Sequence, residues 1–327
     1  MVSEFGASSP EGILVTFLAY RTPILSISLS FLRRSMLVLG SFALLFAMTA
    51  NAQTAKFIEA QTRVPSSSLN GPSRLAVDSR RNVYISDTQS NRVLKESWSS
   101  DGSYTETVVA SAGLSFPFGV AVDPTGSVYI VDNGNLRILK ETPSGGGYVE
   151  TQVSTSPLSN PTGLAVDSHG NLYIADTGNA RVLKETPSSG SYIETVVSSI
   201  GFNQVMGIAV DSIGNIFLSD IGSQTISKET FSSGTYAQSV VPTSGLNAPY
   251  DIAVDAGGTL YISDFGNHRI VEETPCNTGY TQSILPSYDL QGVLGLALDS
   301  DRDVFLADAR ARVIWQESAG GANLGPI

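Results

Sequence analysis

Residues 160–197 read NPTGLAVDSHGNLYIADTGNARVLKETPSSGSYIETVV, and four short runs stand out in them: Gly163–Val166, Leu172–Ala175, Ala180–Glu185 and Tyr192–Val197. Val, Ile, Leu and Tyr dominate these runs, and each is too short for an ordinary helix. Between them lie Asp167-Ser168-His169-Gly170, Thr177-Gly178-Asn179 and Pro187-Ser188-Ser189-Gly190. Asp, Asn, Gly and Pro supply the left-handed or pre-bent backbone that tight reversals need. The segment therefore predicts four strands joined by three tight turns.

The same unit recurs along the chain. An apolar tripeptide followed by Asp, Leu75-Ala76-Val77-Asp78 in the first copy, returns at Asp123, Asp167, Asp211, Asp255 and Asp299, at intervals of 45, 44, 44, 44 and 44 residues. A second Asp follows nine residues later each time, at Asp87, Asp132, Asp176, Asp220, Asp264 and Asp308. Six copies of this unit without a single long amphipathic stretch predict an all-β, six-bladed β-propeller. The sixth copy has three strands, ending at Trp315-Gln316-Glu317. Its fourth is expected from the N-terminal side, where Phe57-Ile58-Glu59-Ala60 aligns with Tyr192-Ile193-Glu194-Thr195 and Val64-Pro65 with Val241-Pro242. A strand borrowed in this way closes the ring and hides its open edges, which makes residues 53–327 one domain.

Ahead of that domain, Arg33-Arg34 precede an uncharged apolar run, Leu37 to Met48, and a small-x-small site at Ala50-Asn51-Ala52. This is the pattern of a secretory signal, so residues 1–52 are expected to be an N-terminal extension and signal peptide cleaved after Ala52, with a secreted or periplasmic product. An uncleaved membrane anchor is the alternative, because the uncharged run approaches the length of a bilayer span. The only thiol, Cys276, is far from that site, which excludes a lipid-accepting cysteine there.

The chain has 327 residues, with 19 Lys+Arg against 30 Asp+Glu. Residues 1–52 hold three basic and two acidic residues, so 53–327 carries 16 against 28, a net charge of −12. That balance disfavours nucleic acid, whose binders gather Lys and Arg against phosphates. One Cys excludes an internal disulfide and the thiolate zinc clusters, and two His cannot build a three-His site.

Pro161-Thr162-Gly163-Leu164-Ala165-Val166-Asp167, then Gly170-Asn171-Leu172-Tyr173-Ile174-Ala175-Asp176, then Asn179 and Arg181-Val182, resemble the NHL repeat. The resemblance spans all six copies, weakest in the fourth, which lacks an Arg after Asp220, and in the sixth, which is compressed at Ala309-Arg310-Ala311-Arg312. It implies a propeller that acts as a binding or scaffold module. A minority of related propellers are metal-dependent lactonases, esterases or amidating lyases, and these supply the alternative function, with calcium in the central channel. No metal, cofactor or catalytic set is expected here: His169 and His268 fall on opposite faces, and the innermost strands offer chiefly Gly and Ala. A monomer is expected.

The twelve repeated Asp read as scaffold, the first of each pair capping a turn and the second pairing with Arg92, Arg137, Arg181 or Arg269 five residues on. The Lys-Glu pairs at 95–96, 140–141 and 184–185 read as a solvated strand face. Ligand contacts are expected where copies differ, on the face carrying the loops between blades. There Phe118, Met206 and Tyr250 occupy one variable position. Arg74 and Asp251 replace the Gly that stands next in the other four copies, and Phe265 and His268 join from the fifth copy. An aromatic rim with a few charges suits a protein, peptide or glycan partner.

Overall fold

A computed structural model describes residues 57–198, 201–287 and 289–319. The expected targeting segment and its cleavage site lie outside these residues. The described chain forms six four-stranded antiparallel sheets, each ordered by sequence from inner to outer strand, except that the last sheet runs Val293–Leu298, Val304–Asp308, Val313–Ala319 and then the N-terminal strand Phe57–Val64. Neighbouring inner strands pack against one another around the ring, the first against the last included. The predicted closure is therefore what the chain adopts. Among the described residues no helix is long and apolar enough to cross a membrane.

In blade three the strands are Pro161–Val166, Leu172–Asp176, Arg181–Ser188 and Ser191–Ser198. The third strand runs three residues further than its apolar pattern, through Thr186-Pro187-Ser188, and the hairpin tightens to Ser189-Gly190, both at positive φ. Pro187 fits inside the ladder because an antiparallel pair does not draw a donor from every residue.

The closing strand shows a second difference. Gln61 pairs with Glu317 and Val64 with Ile314, as Gln238 pairs with Glu229 and Val241 with Ile226. Val64 thus matches Val241 as expected. Phe57 lies opposite Ala319 as Tyr192 lies opposite Pro187, so the start of the strand matches too, and a two-residue irregularity between Phe57 and Gln61 puts Gln61, where Glu59 was expected, in the place of Glu194. A slip of two keeps every side chain on its own face, so the apolar pattern could not reveal it.

Each core lies between successive blades. Tyr129, Val131 and Ile138 of blade two pack with Leu164, Leu172 and Ile174 of blade three, and at the closing seam Val64, Phe305 and Ile314 pack with Leu75, Val83 and Leu94. Burying each such side chain is worth about 1.5–3 kcal/mol. The inner strands approach so closely that a Cβ on Gly119 would lie 2.6 Å from the Thr162 carbonyl oxygen. Gly is therefore required there.

The repeated Asp do the scaffold work expected of them. Asp167 accepts the backbone N–H groups of His169 and Asn171 at 2.9 Å, and the other five copies repeat both bonds. Asp176, fully buried, accepts the N–H of Ser159 at 2.7 Å and pairs with Arg181 Nε at 2.7 Å. In blade four, where the Arg is missing, Asp220 instead takes four backbone N–H groups, from Asn203, Gln204, Gly222 and Ser223.

The Lys-Glu pairs correct the expectation of a solvated face. Glu96, Glu141 and Glu185 are buried, as are their counterparts Glu229, Glu273 and Glu317. The lysines lie over neighbouring rings, Lys184 Nζ being 5.4 Å from the Tyr173 centroid. Both side chains belong to the packing at the blade edge.

Candidate functional site

The seven variable residues come from blades one, two, four and five, and the ring brings most of them to one channel mouth. Arg74 enters from the inner strand Pro72–Val77 and crosses the axis. Its Nη2 donates to the carbonyls of Met206 at 2.9 Å and Tyr250 at 3.0 Å, and its Nη1 donates to the carbonyl of Leu294. The guanidinium lies between two rings, 4.9 Å from the Phe118 centroid and 5.1 Å from that of Tyr250. Arg74 is only 3% exposed, so this end of the channel is stoppered by a cation of the chain itself.

Asp251 sits beside it, with Oδ1 3.6 Å from Arg74 Nε and Oδ2 accepting the N–H of Leu296 at 3.0 Å. Burial pushes this carboxyl above its ordinary value, against the pull of Arg74 and the backbone N–H groups. Room for it comes from Gly207, whose Cβ would fall 2.7 Å from the Asp251 Cα. Beneath the stopper a cavity of about 50 Å³ is walled by Leu75, Val120, Leu164, Ile208, Ile252 and Leu296, and the opposite mouth is aliphatic as well.

The remaining residues form an arc around the stopper. Phe118 and Tyr250 have ring centroids 6.4 Å apart, Tyr250 and Phe265 5.5 Å, and Phe265 and His268 6.4 Å. Arg310 of blade six lies over Phe265 at 5.1 Å. Phe118 and Met206 are buried, Tyr250 and Phe265 half-buried, and His268 and Arg310 exposed. His268 occupies the left-handed position that ends the short 3₁₀ turn Phe265–Asn267. His169 lines a groove with Asp211 and Tyr236 and is not part of this arc.

A divalent ion in the channel, as lactonase-like propellers imply, finds a poor fit in these residues. It wants about six oxygen ligands, and the mouth carbonyls already accept from Arg74, while the only carboxylate there is Asp251. Among the described residues no group of three or more His, Cys, Asp or Glu could hold a metal. The sequence singled out Arg74 and Asp251 as rim charges. Opposite charges replacing two members of a glycine ring were the signal that they pair across the axis.

Similarity to known proteins follows the same repeats. The NHL repeat model matches residues 114–140, 158–184 and 246–272, the second, third and fifth copies. No curated protein sequence matches significantly. Among solved structures, a gluconolactonase from Xanthomonas campestris is similar over 80% of this chain and 89% of its own, with a TM-score of 0.64 and 18% identity. A chain of the nidogen/laminin complex is similar over 70% and 87%, with a TM-score of 0.61 and 18% identity. Virginiamycin B lyase from Staphylococcus aureus is similar over 80% and 99%, with a TM-score of 0.58 and 16% identity. At such identities the likeness is one of fold. Three copies match the repeat and all six share its strand order, so the chain carries NHL repeats and has the six-bladed β-propeller fold.

Proposed function

We propose that the chain is an exported, monomeric binding module. Its ligand, a protein, peptide or glycan, contacts the aromatic arc of Phe118, Tyr250, Phe265 and His268 around the Arg74 stopper. The observation that carries this reading is the stopper itself. Arg74 uses the carbonyls of three inner strands and leaves a shallow, closed bowl, which suits surface contact better than chemistry inside a channel. Residues 1–52 act as a cleaved signal peptide in this reading, and N-terminal sequencing of the exported product is expected to begin at Gln53.

The test is a screen of the purified protein on glycan and peptide arrays, repeated with Tyr250→Ala and Phe265→Ala. Loss of binding by both variants, each still folded with a cooperative melt, is expected. Binding untouched by both changes rejects this face.

The second reading, a metal-dependent hydrolase or lyase, is favoured by the structural likeness to a gluconolactonase and to virginiamycin B lyase. Elemental analysis with a panel of lactones and esters separates the two. Stoichiometric bound metal with turnover establishes the enzyme, and neither is expected with Arg74 in the channel mouth.

A further inference from the structure

The face that carries the arc has a charge pattern opposite to that of the chain as a whole. In four blades the loop Asp is completely buried while its Arg partner is not: the side chains of Arg92, Arg137, Arg181 and Arg269 are 23%, 27%, 21% and 26% exposed, those of Asp87, Asp132, Asp176 and Asp264 0%. Each Arg commits Nε to its Asp and Nη2 to loop carbonyls, such as that of Gly245 for Arg269 at 2.9 Å. Nη1 is left toward solvent. Blade six adds Arg310 and Arg312, both exposed. In the described loops of this face, Asp289 is the only exposed carboxylate. A protein with a net charge of −12 outside residues 1–52 therefore shows water a ring of guanidinium edges here. An approaching ligand meets the outer charge first.

We propose that this face binds an acidic saccharide chain, its carboxylates held by guanidinium edges and its sugar rings laid against Tyr250 and Phe265. This rests on the reading of the arc as the binding face and names its ligand class. Planar guanidinium matches planar carboxylate in a two-bond fork. The Tyr250 and Phe265 rings, 5.5 Å apart and half-exposed, offer apolar surface to the C–H faces of successive sugars. Arg310 lies directly beside them, over Phe265, with Nη1 donating to the carbonyl of Gln291 at 3.1 Å. Because Arg74 closes the bowl, a chain lies across the mouth and does not thread it.

The experiment is calorimetric titration of the purified protein with an oligogalacturonate and, separately, with its methyl ester, which keeps the sugar backbone and removes the charge. The acid is expected to bind and the ester to bind about tenfold more weakly, the worth of one charge-assisted hydrogen bond. Raising salt from about 0.02 to 0.2 M shortens the reach of exposed charges severalfold and is expected to weaken the acid alone. Arg310→Ala should lower affinity for the acid about tenfold. Arg269→Thr, which copies the residue blade four already carries at Thr225, keeps the fold and should lower it severalfold.

Equal binding of acid and ester, or affinity indifferent to Arg310→Ala and Arg269→Thr, overturns the proposal. So does tighter binding of a single-stranded RNA or an acidic peptide to the same face. A neutral ligand captured on the arrays and lost with Tyr250→Ala would overturn this inference and leave the binding face standing. Failure of every array ligand to depend on Tyr250 would remove the face itself.

Discussion

Glu185 stands directly opposite Glu194 on the paired third and outer strands of blade three, the first carboxyl buried and the second accepting the backbone N–H of Ser156 at 2.7 Å. The pairing recurs in every blade: Glu96 with Glu106, Glu141 with Glu150, Glu229 with Gln238, Glu273 with Gln282, and Gln61 with Glu317. Two ionised carboxylates at this separation repel, so a proton shared between them, or an amide in place of one, is what makes the arrangement stable.

Stability should therefore fall as the solution becomes alkaline. Burial, then the facing Glu194, push Glu185 up to about 8, and burial pushes Glu96, Glu273 and Glu317 to about 7. These groups hold a proton more tightly folded than unfolded. Their contribution is complete below the ordinary Glu value and is lost as pH climbs through 7 to 8. Burial also raises Glu106 and Glu194, but hydrogen bonds from Ser67 and Ser156 outweigh it and bring both below the usual carboxylate range. That contribution has the opposite sign and disappears in acid. The urea midpoint should peak near pH 5 and correspond at pH 8 to a stability lower by on the order of a few kcal/mol. Glu185→Gln should flatten the alkaline limb, and a midpoint higher at pH 8 than at pH 5 contradicts the assignment.

Arg74→Ala is expected to cost about 3–5 kcal/mol, because it strands Asp251 and three inner-strand carbonyls in a dry site. Arg74→Lys should rescue little of that, since a single ammonium cannot reproduce the planar fork or its stacking between Phe118 and Tyr250. Equilibrium unfolding in urea reads both, and a loss within 0.5 kcal/mol, about that of an ordinary surface substitution, would show that the stopper does not hold the strands together.

Asp264→Ala should cost a similar 3–5 kcal/mol. It deprives Arg269, the Asn247 backbone N–H and the Asn267 side chain of one shared acceptor. Arg269→Thr should be milder, since Asp220 shows that backbone donors satisfy the carboxylate without an Arg. Thermal melts of the two variants should rank in that order.

A chain beginning at Asn70 loses the outer strand of blade six and the buried Val64 at the seam. Its thermal transition should be lower and broader than that of the longer protein. An equally sharp and equally high transition would show that the ring holds without the strand.

The 44-residue spacing made the fold legible, because turn Asp and apolar strands recur for reasons of local geometry. The side of the ring on which Phe118, Tyr250, Phe265 and His268 gather was legible from strand parity alone. What each residue meets there was not. Arg74 and Asp251 lie 177 positions apart, and only ring closure decides that they share an axis. The Lys-Glu pairs misled for a related reason: alternation gives the face of a strand, while the burial of Glu185 depends on the neighbouring outer strand and loop.

The seam also sets an order of events. Phe57 lies opposite Ala319, 262 residues later, so the earliest of the described strands cannot take its place until the latest has been made. Blades one to five assemble from neighbours along the chain, and such local contacts form fast. Until the third strand of blade six exists, Leu75, Val83 and Leu94 of blade one lack part of their cover, which leaves a sticky flank during synthesis. Arg81 waits on that flank for Asp299, Asp301 and Asp303 of the final blade. The seam is thus the one blade interface that cannot be completed until the last blade has been made.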